Sequence, residues 1–136
     1  MIRGDELVNG FERVPAQRVE LPRHPAAASR ARRWVDRLLH ARGVSDGVRE
    51  SARLVSSELV TNALRHGRGK IELRVTMLSE FLRIEVVDEG SDQAPSVRQE
   101  TPDESGGWGL RIVDQLAARW GVFEGTTHVW ADLPLA

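Results

Sequence analysis

Ser57-Glu58-Leu59-Val60-Thr61-Asn62-Ala63-Leu64-Arg65-His66-Gly67 reads as the closing turns of a helix that opens near Gly47. Gly67 is the expected stop, because glycine takes the left-handed conformation on which many helices end. At 100° per residue Leu54, Val55, Leu59 and Ala63 share a broad apolar sector, with Val60 and Leu64 on the other side. Little of this helix is made for water. Glu58 and Asn62 are one turn apart and stack. They fall inside the apolar sector, between Leu54 and Leu59, where an unpaired carboxylate is costly. A satisfied polar pair and a cation site with a carboxylate beside an amide oxygen explain them equally well.

The 136 residues are enough for one domain with one core. Lys plus Arg number 19 and Asp plus Glu 20, so no global field draws nucleic acid or an acidic membrane. Nearly all the basic charge is arginine; Lys70 is the single lysine. The absence of cysteine excludes disulfides, thiolate metal sites and a cysteine nucleophile. No apolar run approaches about 18 residues, and the N-terminus lacks a signal-peptide core. A soluble, cytoplasmic protein is expected, with no membrane segment and no direct nucleic-acid partner.

Residues 1–17 are polar and broken by Gly10 and Pro15, and read as a flexible tail; the domain is expected over 18–136. Arg18-Val19-Glu20-Leu21 predicts a short edge strand. Pro22 and Pro25 then open a helix over about Ala26 to Ala41. Its apolar stripe is Ala31, Trp34, Val35, Leu38 and Leu39. Arg30, Arg33 and Arg37 form a separate basic stripe, either a solvated face or a docking surface for an acidic protein. Nucleic acid fits that stripe less well, since no aromatic side chains interleave with it. Gly43 stops the helix, and Ser45-Asp46 is a plausible cap for the next.

Ile71, Leu73, Val75 and Met77 alternate with polar residues, as do Leu82, Ile84 and Val86. This is the period of two half-buried strands, joined across Leu78-Ser79-Glu80 as a hairpin. Asp88-Glu89-Gly90 closes the second strand. Asp88 either caps a turn or accepts a hydrogen bond from an exocyclic amine, with Gly90 letting a flat ring approach the backbone. Residues 91–105 form a polar loop with Pro95 and Pro102, long enough to be a functional lid. Gly106-Gly107-Trp108-Gly109 leads into a helix carrying Leu110, Val113, Leu116 and Ala117 on one face. Unpaired amides and the dipole at such a start suit a phosphate. The run is no P-loop, because no Gly-Lys-Ser/Thr follows, and no dinucleotide fingerprint, because it follows a loop. Strands are expected at Trp120–Glu124 and Val129–Leu133, separated by a Gly125-Thr126 turn.

In this order the motifs resemble the Bergerat-type ATP-binding (GHKL) superfamily of gyrase, histidine kinases and MutL. Glu58-x-x-x-Asn62 matches its N box, Asp88-x-Gly90 its first glycine box and Gly107-x-Gly109-Leu110 its second; Gly125-Thr126 looks like the last box. Glu58 to Gly67 is similar to the small bacterial anti-sigma factor/serine-protein kinase group. The resemblance implies an α/β (α+β) two-layer sandwich, with a mixed, mostly antiparallel sheet and helices on one face. It implies ATP in a cleft beside the central helix, with Asn62 holding Mg²⁺ and Asp88 reading adenine. Gly90 and Thr126 would complete the pocket, and Gly107, Gly109 and Leu110 would offer amides to the phosphates. Glu58 would orient or deprotonate the attacking hydroxyl, while His66 reads as a helix-end structural residue. The implied partners are a sigma factor and a serine-bearing anti-anti-sigma (STAS-type) protein, and the group commonly forms homodimers. Asp92, Trp108 and the lysine-free last box depart from the group's pattern. They leave a second reading, a nucleotide-binding regulatory module that transfers nothing and acts by partner binding alone. No phosphoacceptor-histidine helix pair is recognisable, which disfavours a histidine-kinase catalytic domain.

Overall fold

The computed structural model describes residues 7–8, 11–12, 16–90, 110–123 and 127–136. In chain order the elements are β1 (Leu7–Val8), β2 (Phe11–Glu12), β3 (Gln17–Leu21), α1 (Ala27–Ala41), α2 (Asp46–His66), β4 (Ile71–Met77), β5 (Phe81–Val87), α3 (Leu110–Leu116), β6 (Arg119–Val122) and β7 (Val129–Pro134). Among the described residues β1 and β2 pair with each other alone, and β3 begins at Gln17, at the end of the segment read as a tail. The other five strands form one sheet in the order β3-β4-β5-β7-β6, and every pairing in it is antiparallel.

Period-2 patterning decides which side of each strand faces the helices. Leu73, Val75, Leu82, Ile84, Val86, Val129, Ala131 and Leu133 point inward and are buried. α1 adds Ala27, Ala31, Val35 and Leu39, a stripe of i, i+4 steps. Arg30, Arg33 and Arg37 are exposed on its other side, as the sequence indicates. α2 lies between α1, α3 and the sheet and is the hub of the core. Each fully buried leucine or isoleucine at this interface, such as Leu39, Leu59 or Ile84, contributes about 1.5–3 kcal/mol.

One sequence expectation for α2 fails. The wheel puts Leu54 in the buried sector, yet it is 43% exposed. The buried residues are Ala52, Val55, Ser56, Leu59, Val60, Asn62 and Ala63. With Leu59 as origin, these span an arc of about 160° that ends at Asn62. Glu58 lies about 40° beyond that edge and Leu54 about 40° further still. The boundary between core and solvent thus runs between Asn62 and Glu58. The apolar character of Leu54 had suggested a wider arc than the packing of α2 closes.

The opposite sheet face carries charge. Asp132 is fully buried there and accepts two bonds from Arg83, at 2.7 and 2.9 Å, and one from Arg119 at 2.7 Å. Arg83 also stacks over Trp130 and Arg119 over Phe81, so each guanidinium is held on two sides. Burial pushes the Asp132 carboxyl up, but the two arginines outweigh it and hold the group below the usual carboxylate range.

Candidate functional site

The last two turns of α2 and the end of β5 make the site. Asn62 is 2% exposed, and its Nδ2 has no hydrogen-bond partner among the described residues. A buried amide left unpaired is rare and calls for a partner. One turn earlier, Glu58 sits half-buried on the rim of the core. Burial pushes its carboxyl above the ordinary range, and the charge of Arg65 offsets this only in part. Arg65 follows Glu58 by seven residues and so lies on the same rim, two turns on.

Asp88 stands one residue beyond β5 with its side chain fully buried. Its Oδ1 accepts the Gly90 amide at 2.8 Å and the Thr127 hydroxyl. Its Oδ2 accepts no hydrogen bond from any described residue, and the Arg23 guanidinium lies 3.5 Å away. The loop after α2 is stitched to this corner, with the Glu89 amide donating to Arg68 O at 2.9 Å and the Lys70 amide to Glu89 Oε2 at 2.9 Å. Glu89 is thereby used in structure, whereas Asp88 Oδ2 keeps unused acceptor capacity among the described residues.

Gly67 does end α2, but not by the left-handed turn the sequence suggests. Its φ is −100° and ψ −165°, an extended conformation open to any residue. Glycine is required by space: a Cβ there would overlap the Asp88 carboxylate. Gly69 and Gly90, by contrast, have left-handed backbones, at φ 72° and 108°, and no described residue lies within 4 Å of where a Cβ of Gly90 would be.

Of the residues singled out from sequence, the structure thus joins Asp88 and Gly90 at one corner and sets Glu58 and Asn62 along the helix that ends there. Asn62 precedes Gly67, which touches Asp88, by about 7.5 Å of helix rise. Leu110 opens α3 with its side chain 1% exposed in the core. Gly107, Gly109, Thr126 and the 91–105 loop lie outside the described residues. Two further residues join the site, Thr127 and Arg23. Counting back by twos from Leu133, Ala131 and Val129 reaches Thr127, not Thr126, on the inner face. Thr127 is 8% exposed and bonds Asp88, whereas His128 turns outward to Glu85 at 2.8 Å. Arg23 carries no such signal, since it reaches the site from the connection between β3 and α1.

The donor set suits a nucleotide. Asp88 retains acceptor capacity beside an open glycine, as an exocyclic amine requires. Among the described residues no cluster of three or more His, Asp or Glu could hold a metal. Mg²⁺ needs no such cluster, since it commonly takes few protein ligands and completes its shell with phosphate oxygens and water. The orphaned Nδ2 of Asn62 is a donor and calls for an acceptor, such as a phosphate oxygen; the carboxamide oxygen is the atom that would hold the ion.

No helix among the described residues is long and apolar enough to cross a membrane. No curated protein matches the chain. Residues 21–132, from the end of β3 into β7, match the family described as the histidine kinase-like ATPase domain, and on that match the chain belongs to this family of ATP-binding domains.

Proposed function

We propose that the protein is an ATP- and Mg²⁺-dependent serine kinase of the anti-sigma type, acting in the cytoplasm. In this reading it phosphorylates a serine of an anti-anti-sigma (STAS-type) partner and so controls the availability of a sigma factor. The observation that carries the reading is Glu58 itself. A carboxylate raised in pKa by burial stands one helical turn from a buried, unpaired amide. A raised carboxylate is better matched to taking a proton from a hydroxyl near neutral pH.

Asp88 would accept the adenine amine, with Thr127 and Gly90 holding its other oxygen in place. The Asn62 carboxamide oxygen would hold Mg²⁺, which when bound neutralises phosphate charge. Glu58 would orient the serine hydroxyl and take its proton at a carboxylate oxygen. Phosphoryl transfer asks little more than such positioning and charge neutralisation. Gly107, Gly109 and Leu110 would offer backbone amides to the phosphates.

A second reading has a specific observation in its favour. The Gly125-Thr126-Thr127-His128 turn contains no lysine, and Trp108 stands where the resembled group often has arginine. A module short of phosphate cations would bind nucleotide and partner without transfer. Incubating the protein with labelled Mg·ATP and its co-purifying serine-bearing partner decides between them. Label on the partner, abolished in Glu58→Ala with nucleotide binding intact, supports the kinase; intact binding without label in the wild type supports the silent module.

A further inference from the structure

We infer that Arg23 is a positioning residue for adenine recognition, acting through the Asp88 carboxylate. The inference rests on the reading of Asp88 as the group that meets the adenine amine. Arg23 lies between β3 and α1, away in sequence from every motif of the site. Its guanidinium nevertheless spans the site's corner. Nε donates to Gly69 O at 2.8 Å, and Nη1 donates to Ala63 O at 2.6 Å and to Leu64 O at 3.3 Å. Nη2 stands 3.5 Å from Asp88 Oδ2. All three nitrogens are engaged, and they join the carbonyl end of α2, the α2–β4 loop and the end of β5.

The Asp88 side chain is fully buried, and a buried carboxylate needs a countercharge to stay in place. Among the described residues, Arg23 is the cation paired with it. At 3.5 Å with no hydrogen bond, Arg23 holds Oδ2 by charge without consuming its lone pairs. Oδ1 is held from the other side by the Gly90 amide and the Thr127 hydroxyl. A carboxylate has about four lone-pair sites, so this one is oriented on both sides yet still able to accept from a ligand. The rest of the fork lies on α2 carbonyls, so the carboxylate's position is tied to the helix that bears Asn62. Lysine could not do this, because a single ammonium cannot reach the carbonyls and the carboxylate in one planar geometry.

A plain helix cap would explain the contacts to Ala63 and Leu64 but predicts no effect on base selectivity. The test is therefore calorimetric titration of the full chain with Mg·ATP and with Mg·ITP, whose base carries a carbonyl in place of the amine. The wild type should favour ATP by about a hundredfold, since a site built for an N–H donor rejects the analogue lacking it. Arg23→Met and Arg23→Lys should each lower ATP affinity about tenfold while leaving ITP affinity nearly unchanged, shrinking the ratio. A variant that keeps the wild-type ratio while melting at a lower temperature would overturn the proposal in favour of a cap. If Arg23→Met fails to fold, Arg23→Lys decides on the same criterion. A wild type that binds ATP and ITP equally would overturn the adenine reading of Asp88 itself, and the role of Arg23 with it.

Discussion

The Asp88 carboxylate occupies the space in which a Cβ of Gly67 would stand. The end of the central helix and the end of β5 therefore meet at backbone distance, and the site depends on that meeting. Gly67→Ala forces one of two responses: the backbone of α2 shifts, or the carboxylate swings away from Thr127. The side chain is the softer of the two, so the loss should fall mainly on nucleotide binding. The expected result is a stability loss of about 1–2 kcal/mol by chemical denaturation, with ATP affinity reduced about tenfold or more by titration. Unchanged ATP affinity would show that Asp88 need not stay where it is.

Glu58 should cost stability for the sake of reactivity. Its folded pKa is raised by burial, so its favourable contribution is present below its unfolded value of about 4.3 and is lost as pH rises through the folded value. At neutral pH the ionised group is a small burden, reduced by its partial exposure and by Arg65. Glu58→Gln should therefore be slightly more stable than wild type at pH 7, an advantage that vanishes at pH 4. Any transfer to a partner serine should drop at least about a hundredfold. Urea titrations at the two pH values, with a transfer assay beside them, check both parts. A variant less stable than wild type at pH 7 would contradict the assignment of a strained carboxylate.

Asp132 should behave in the opposite sense. Arg83 and Arg119 hold it low against the upward push of burial, so its contribution is present above about pH 3.9 and is lost as pH falls through the depressed folded value. Glu85 adds to the same acid limb, held low against burial by His128, Arg74 and Arg83. Asp132→Asn should cost about 2–3 kcal/mol at pH 7 and flatten the acid unfolding transition. It lies on the sheet face away from the helices, so ATP affinity should stay within about twofold of wild type.

Asn62→Ala tests the metal reading directly. It removes the amide oxygen and leaves a small cavity, so a modest loss of stability is expected. Mg²⁺-dependent ATP binding should fall about a hundredfold, while any residual binding should no longer respond to added Mg²⁺. Equal Mg²⁺ enhancement in wild type and variant would remove Asn62 from the metal's shell.

The exposed stripe of Arg30, Arg33 and Arg37 is the proposed contact surface for an acidic partner. Reversing all three charges should weaken capture of the partner at least about tenfold in pull-down or titration, with ATP affinity unaltered. Loss of both together would refute the assignment.

Local pattern settled a good deal of this protein. The 3.6-residue stripe of α1, the alternation in β4 and β5, and the boundaries of α2 are short-range properties, legible because period and end signals lie within a few residues of each other. The Glu58–Asn62 pair was legible for the same reason, since one helical turn places them together whatever the rest of the chain does. What only the packed molecule decided is how far α2 is covered. Its closure buries Asn62, leaves Glu58 at the rim and exposes Leu54, because three separate elements set the edge of that arc. The same holds at Asp88, where Arg23, Gly67 and Thr127 converge from distant parts of the sequence. Their convergence is a consequence of strand order and helix ends meeting in space, and no spacing along the chain encodes it.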